Sequence, residues 1–132
     1  MLSSSDFEVN EAWVLFRLNK SPIREGDMKN YDLITLVDAA SGHELWRHWL
    51  SATAKEAWGA EARRLLETAV RLNKNRPAKT IVVTKGALAE FIRPEALRRG
   101  IRVKSVPHYE LREFTFGPRR AFAQKLEGGS SK

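Results

Sequence analysis

The residues that could do acid–base, nucleophilic or metal chemistry in this 132-residue chain are few: three histidines, sixteen carboxylates and no cysteine. Lack of cysteine removes thiol nucleophiles, iron–sulfur clusters, cysteine-based zinc sites and disulfide frameworks together. His43 and His48 are five residues apart and fall on opposite faces of a regular strand, so they cannot share a metal there. His108 stands alone beside a proline. Ser41 belongs to a turn rather than a nucleophile elbow, and Gly86-Ala87-Leu88-Ala89 lacks the glycines and the Lys-Ser/Thr pair of a phosphate-binding P-loop. Thr84-Lys85-Gly86, at the start of a helix, offers backbone amides and one cation to a phosphate. Asp38, at the end of a strand, is the carboxylate best placed for catalysis. With Glu61 on a long helix and Glu110 further on, it would supply a carboxylate set for Mg²⁺ or Mn²⁺. Against that, Asp38 opens an Asp-Ala-Ala-Ser-Gly turn, where an Asp side chain ordinarily bonds nearby backbone N–H groups.

Charge is the more informative feature. Lysine and arginine number 23 against 16 acids, a net charge of +7. Residues 1–50 are net acidic, whereas residues 51–132 carry the whole excess of positive charge. The densest run lies in 71–104 and includes Arg76, Lys79, Lys85, Arg98, Arg99, Arg102 and Lys104. Arg112, Arg119 and Arg120 extend it toward the carboxyl terminus, with Phe116 and Phe122 close by. One-sided charge of this kind concentrates polyanions, and arginine forks fit phosphate oxygens, so DNA or RNA is the expected partner. A solvated, solubilising surface is the plainer reading of the same residues.

The elements that must position these residues follow from hydropathy patterning. Residues 1–7 and 127–132 have the composition of flexible ends, leaving one domain over 8–126. Ala12–Leu18 is apolar on both faces, as in a strand buried within a sheet. Residues 19–30 are rich in turn formers. Tyr31–Val37 and Glu44–Leu50 read as an antiparallel hairpin. Thr53 and Glu56 form a capping box, after which apolar residues recur every three or four positions to Val70. Lys79–Thr84 is a buried strand. A helix from Gly86 breaks at Pro94 and closes at Gly100. Ile101–Val106 is a strand with a basic outer face. Leu111, Phe114 and Phe116 suggest one more extended stretch, and Pro118 suits the start of a last helix ending near Leu126. The expected fold is α/β, a mixed five-stranded sheet in the order β-β-β-α-β-α-β with helices packed on it.

That order resembles the ribonuclease H-like fold, and YDLITLVDAASGHELWRHWL together with KTIVVTKGALAEF and LRRGIRVKSV resembles the retroviral integrase and transposase core. The resemblance implies two divalent cations held by Asp on the first strand, Asp after the fourth, and a later Glu. Phe16 and Thr84 stand where the first two acids would be, and Lys85 follows with a charge that opposes cation binding. It therefore implies a relative without the catalytic carboxylates.

Trp46 and Trp49, three apart on one strand, point to opposite faces, so one lies off the helix-covered face. It would serve base stacking or a dimer contact. Three expectations result. The first is a non-catalytic nucleic-acid-binding domain with no cofactor, acting through its basic surface. The second is a metal-dependent phosphodiester enzyme built on Asp38, Glu61 and Glu110. The third is a homodimeric interaction module using Trp46 and Trp49. The absence of a signal sequence or a ~20-residue apolar run points to the cytoplasm and away from membranes.

Overall fold

The computed structural model describes residues 1–19, 23–25 and 28–130. Its centre is β1 (Ala12–Arg17). Trp13, Val14, Leu15 and Phe16 are all fully buried, which a strand achieves only when both sheet faces are covered. β1 pairs antiparallel with β3 (Met28–Asp38) on one side and parallel with β5 (Thr80–Thr84) on the other. β4 (Glu44–Ser51) lies outside β3, and β6 (Arg102–Val106) outside β5. The five long strands thus run β4-β3-β1-β5-β6, a mixed sheet whose two parallel pairs are β1–β5 and β5–β6. The helical crossovers expected before the fourth and fifth strands account for that parallelism. A short β2 (Ile23–Glu25) pairs with the first residues of β3, so a hairpin occupies part of the expected turn-rich region. Lys20–Pro22 and Gly26–Asp27 of that region lie outside the described residues.

One face of the sheet carries α1 (Trp58–Leu72) and α2 (Ala87–Arg98). Ala62, Leu65, Leu66 and Ala69 of α1 form the expected apolar stripe and bury against Trp13, Leu15, Ile34 and Ile81. The other face carries Val14, Phe16, Leu33 and Val82 beneath α3 (Arg112–Ser130) and the amino-terminal residues. Among the described residues no helix is long and apolar enough to cross a membrane.

Four local expectations are corrected. The Thr53–Glu56 capping box does not form; Ser51 Oγ accepts from the Thr53 and Ala54 amides instead, and a 3₁₀ turn over Lys55–Ala57 leads into α1. α2 runs unbroken through Pro94. Pro94 and Glu90, four residues earlier, are both exposed, so this segment of the helix faces water. Residues 111–116 are not extended: a 3₁₀ turn, His108–Leu111, opens directly into α3, because Leu111, Phe114 and Thr115 bury at helical spacing. α3 then continues past Leu126 to Ser130, since extending a formed helix costs little per residue.

Residues 1–7, whose composition suggests a loose lead, are tied to α3. The Leu2 amide donates to the Glu110 carbonyl, Ser3 Oγ and the Ser4 amide donate to the Glu113 carboxylate, and Phe7 meets Phe114 edge to face. The Ser4 amide holds the Glu113 carboxyl below its ordinary range.

Two outcomes follow from this packing. Leu65→Ala, at a fully buried site, lowers unfolding free energy in urea by about 2–5 kcal/mol, whereas Leu72→Ala, on the wet side of the same helix, changes it by about 0.5 kcal/mol or less. The lowered pKa of Glu113 means that its stabilising contribution is whole above the unfolded carboxyl value and is lost as pH falls through the folded one. Protection of the Ser4 amide, measured as its exchange rate relative to the intrinsic rate at each pH, therefore falls as pH drops below the usual carboxylate range, and Glu113→Gln removes that acid-dependent step.

Candidate nucleic-acid interface

β1 ends at Arg17, and there the sheet opens into a cleft of about 820 Å³ at the carboxyl ends of the parallel strands. That is the end at which open α/β sheets commonly bind ligands. Its floor is Arg17 and Asn19 after β1, Asp32 on β3 and Thr84 on β5. One wall comes from the α1/α2 layer: Leu50, Ala52, Lys55, Trp58, Ala87 and Leu88. His108 and Arg119 of the other layer complete it.

Each side chain has a structural reason for its place. The residue after Phe16 is the first of β1 to escape complete burial, and Arg17 uses that exit to meet Asp32 at 3.6 Å. Asn19, buried, donates to Asp32 Oδ1 at 2.9 Å and accepts from the Leu33 amide at 2.8 Å. Arg119 reaches over from α3, donates from Nε to the Arg17 carbonyl at 2.7 Å, and lays its guanidinium over the Phe16 ring at 5.9 Å. Gly86, at φ 114°, makes the strand-to-helix turn in a conformation that L side chains rarely adopt, and this sets Lys85 at the rim. Trp58 is fixed by its indole N–H donating to the Ser51 carbonyl at 3.0 Å and by an edge contact with Phe91, with Lys55 Nζ 5.5 Å from its ring.

Among the described residues lining the cleft there are four permanent cations, Arg17, Lys55, Lys85 and Arg119, and one carboxylate, Asp32. Among the described residues no carboxylate pairs with Lys55, Lys85 or Arg119. Burial lowers the pKa of Arg119, and the nearby Arg17 lowers it further. The arginine remains charged at neutral pH, held by the Arg17 carbonyl and the face of Phe16.

The residues singled out from sequence are dispersed. Lys85 and Arg119 enter the cleft. Arg76 and Lys79 precede β5 and so sit at the opposite end of the sheet. Arg98 and Arg99 close α2 and are engaged: both contact the buried carboxylate of Glu95, and Arg99 also reaches Glu67 at 3.3 Å. Arg102 and Lys104 are exposed on the edge strand β6, and Arg112 and Arg120 are exposed on α3. Phe16 and Thr84, the positions that the integrase-like resemblance assigns to acids, end up side by side, one step beyond the Leu15–Val83 pair.

Asp38, Glu61 and Glu110 do not converge. Asp38 Oδ1 accepts from the Asn10 amide and Oδ2 from the amide and hydroxyl of Ser41, which is the turn role of such an aspartate. Asp38 pairs with Trp13 near the start of β1, away from the cleft. Glu61 contacts buried His48 and Arg64, and Glu110 contacts the chain's amino terminus. No three His, Asp or Glu side chains group to hold a metal among the described residues. Trp46 pairs with Leu36 and Trp49 with Leu33, on opposite faces of the edge strand β4, and both are partly exposed.

Sequence reasoning missed Arg17, Asn19, Asp32, Lys55 and His108. Arg17 had a signal, as the single charge closing an otherwise apolar strand. Lys55, in a turn outside the basic run, had none. No model of a known protein family and no curated protein sequence matches the chain.

Replacing Asp38 separates its structural role from the expected catalytic one. Asp38→Ala leaves the Asn10 and Ser41 amides without their acceptor and lowers unfolding free energy by about 1–3 kcal/mol in urea titration. A variant as stable as the parent would contradict that role.

Proposed function

We propose that this domain holds nucleic acid by its phosphate backbone and does not cut it, with the cleft at the end of β1 as the centre of contact. The observation that carries this is the convergence of Arg17, Lys55, Lys85 and Arg119 on one concave site where, among the described lining residues, the one carboxylate, Asp32, is shared by Arg17 and Asn19. Such a site attracts a polyanion by Coulomb forces and offers guanidinium forks to phosphate oxygens, with little dependence on sequence. Arg102, Lys104, Arg112 and Arg120 extend positive charge along the exposed surface of β6 and α3.

The strand order and directions support kinship with ribonuclease H-like cores of the integrase type. So does the adjacency of Phe16 and Thr84 at the ends of β1 and β5. On this reading an ancestral pair of metal-binding acids has given way to Phe16 beneath Arg119 and to Thr84 beside Lys85. A site that once gathered cations around phosphate now supplies the positive charge itself, in the cytoplasm and without a metal cofactor.

Fluorescence anisotropy with labelled single- and double-stranded DNA and RNA tests the proposal. Binding is expected at low salt, with affinity falling linearly on a log–log plot against salt concentration. Arg119→Ala and Lys85→Ala each weaken binding across sequences and reduce the salt slope by about 1. Arg98→Ala, at the far end of α2, leaves it unchanged. No binding at low salt, or equal losses for Arg98→Ala and Arg119→Ala, would overturn the assignment of the cleft.

A further inference from the structure

We infer that the cleft accepts a single unpaired nucleotide, its phosphate between Arg119 and Lys85 and its base against the wall formed by Trp58 and Leu88. This rests on the nucleic-acid reading above and narrows it to a form of the ligand. Charge alone would suit any polyanion; the cleft has two unlike sides, and that asymmetry is what discriminates. Arg17, Lys85 and Arg119 stand on the strand ends and on α3, whereas the α1/α2 side presents Leu50, Ala52, Trp58, Ala87 and Leu88 with Lys55 as its one cation among the described residues. Ligand pockets of roughly 300–1,000 Å³ bury whole small molecules against apolar walls and orient them with a few polar groups. The volume of about 820 Å³ falls in that class and admits a nucleoside phosphate with solvent to spare. A duplex presents stacked, paired bases and could touch only the rim with its backbone.

The indole is held for such a role. Its N–H is spent on the Ser51 carbonyl, and its edge is fixed by Phe91, so the ring cannot turn away when a ligand arrives. Lys55 lies over the ring from an exposed, flexible stem. A base that packs there displaces the ammonium toward the incoming phosphate rather than into a buried position. Arg119 is held by its Nε bond to the Arg17 carbonyl, which leaves the outer nitrogens of the guanidinium to face an anion. Asn19 donates to Asp32 and accepts from the Leu33 amide, so the two side chains form a fixed polar floor rather than a mobile one.

The same nucleotide chemistry can arrive free or as an unpaired position of a strand, and one set of titrations separates the sources. Binding of AMP, ribose 5-phosphate, a single-stranded oligonucleotide and the corresponding blunt duplex is measured by calorimetry. ¹H–¹⁵N spectra follow the Trp58 indole N–H and the Lys85 to Leu88 amides. The expected result is that AMP binds at least about tenfold more tightly than ribose 5-phosphate, and that the single strand exceeds the duplex by a similar factor. The Trp58 indole resonance moves with AMP and with the single strand. Arg119→Ala weakens both, and Trp58→Leu or the milder Leu88→Ser brings AMP down to the level of ribose 5-phosphate. Tight AMP with a non-binding single strand assigns the site to free nucleotide and rejects the strand. Equal, salt-sensitive binding of single strand and duplex, with no preference for AMP and an unmoved Trp58 resonance, overturns this inference while leaving the backbone reading standing. Failure of every nucleic acid and of AMP overturns both.

Discussion

The structure depends on burying β1 from both sides at once. Trp13 and Leu15 face α1 and α2, Val14 and Phe16 face α3, and none of the four retains contact with water. A strand sealed in this way must place its polar groups at its ends. Its carboxyl end is where Arg17 emerges, where the Arg17 carbonyl finds Arg119 as donor, and where Asp32 and Asn19 gather. Register with β3 and β5 then brings Thr84 and the start of α2 alongside. The cleft is thus a consequence of the core: the more completely β1 is buried, the more its first exposed side chain must carry.

Concentrating cations in this way works against the unliganded fold. Arg119 is partly desolvated and close to Arg17, and both effects disfavour its charged state. The arrangement persists because the guanidinium is otherwise satisfied, by a carbonyl on one side and an aromatic face on another. An anion bound there would relieve the repulsion and stabilise the fold, since whatever binds the folded form alone stabilises it by mass action. Asp32 offsets part of that repulsion through its contact with Arg17.

Much of the fold was legible because hydropathy and periodicity speak to it directly. The doubly apolar β1, the hairpin around Asp38-Ala-Ala-Ser-Gly and the three-and-four spacing of α1 each depend on a pattern local to the segment. Where tertiary context competes with a local signal, the local signal misled. Pro94 does not break α2 because that part of the helix faces water, and Leu111, Phe114 and Phe116 read as an extended stretch, whereas the helical turn buries Leu111, Phe114 and Thr115 and leaves Phe116 exposed. The site was less legible still. Charge counted along the chain gave the 71–104 run the leading role, yet folding pairs Arg98 and Arg99 with Glu95 and sends Arg76 and Lys79 to the opposite end of the sheet. Two of the cleft's cations, Arg17 and Lys55, come from segments that the count passed over. Net charge is additive along a sequence, whereas potential depends on which charges share a concavity, and only the fold decides that.

The sign of the cleft separates two uses of one scaffold. Two divalent cations clamped by carboxylates stabilise the attacking and leaving oxygens of a phosphodiester, and they need acids at the ends of adjacent parallel strands. In this chain the ends of β1 and β5 carry Phe16 and Thr84, with Arg119 and Lys85 next to them. Opposite charges a few ångströms apart in a partly desolvated cleft interact several times more strongly than in water, so the same geometry that favours phosphate penalises a metal ion. Lysine and arginine bind phosphate without activating a water for attack. A site of this composition attracts anions more strongly with every cation it adds, and each addition makes a divalent metal ion harder to seat.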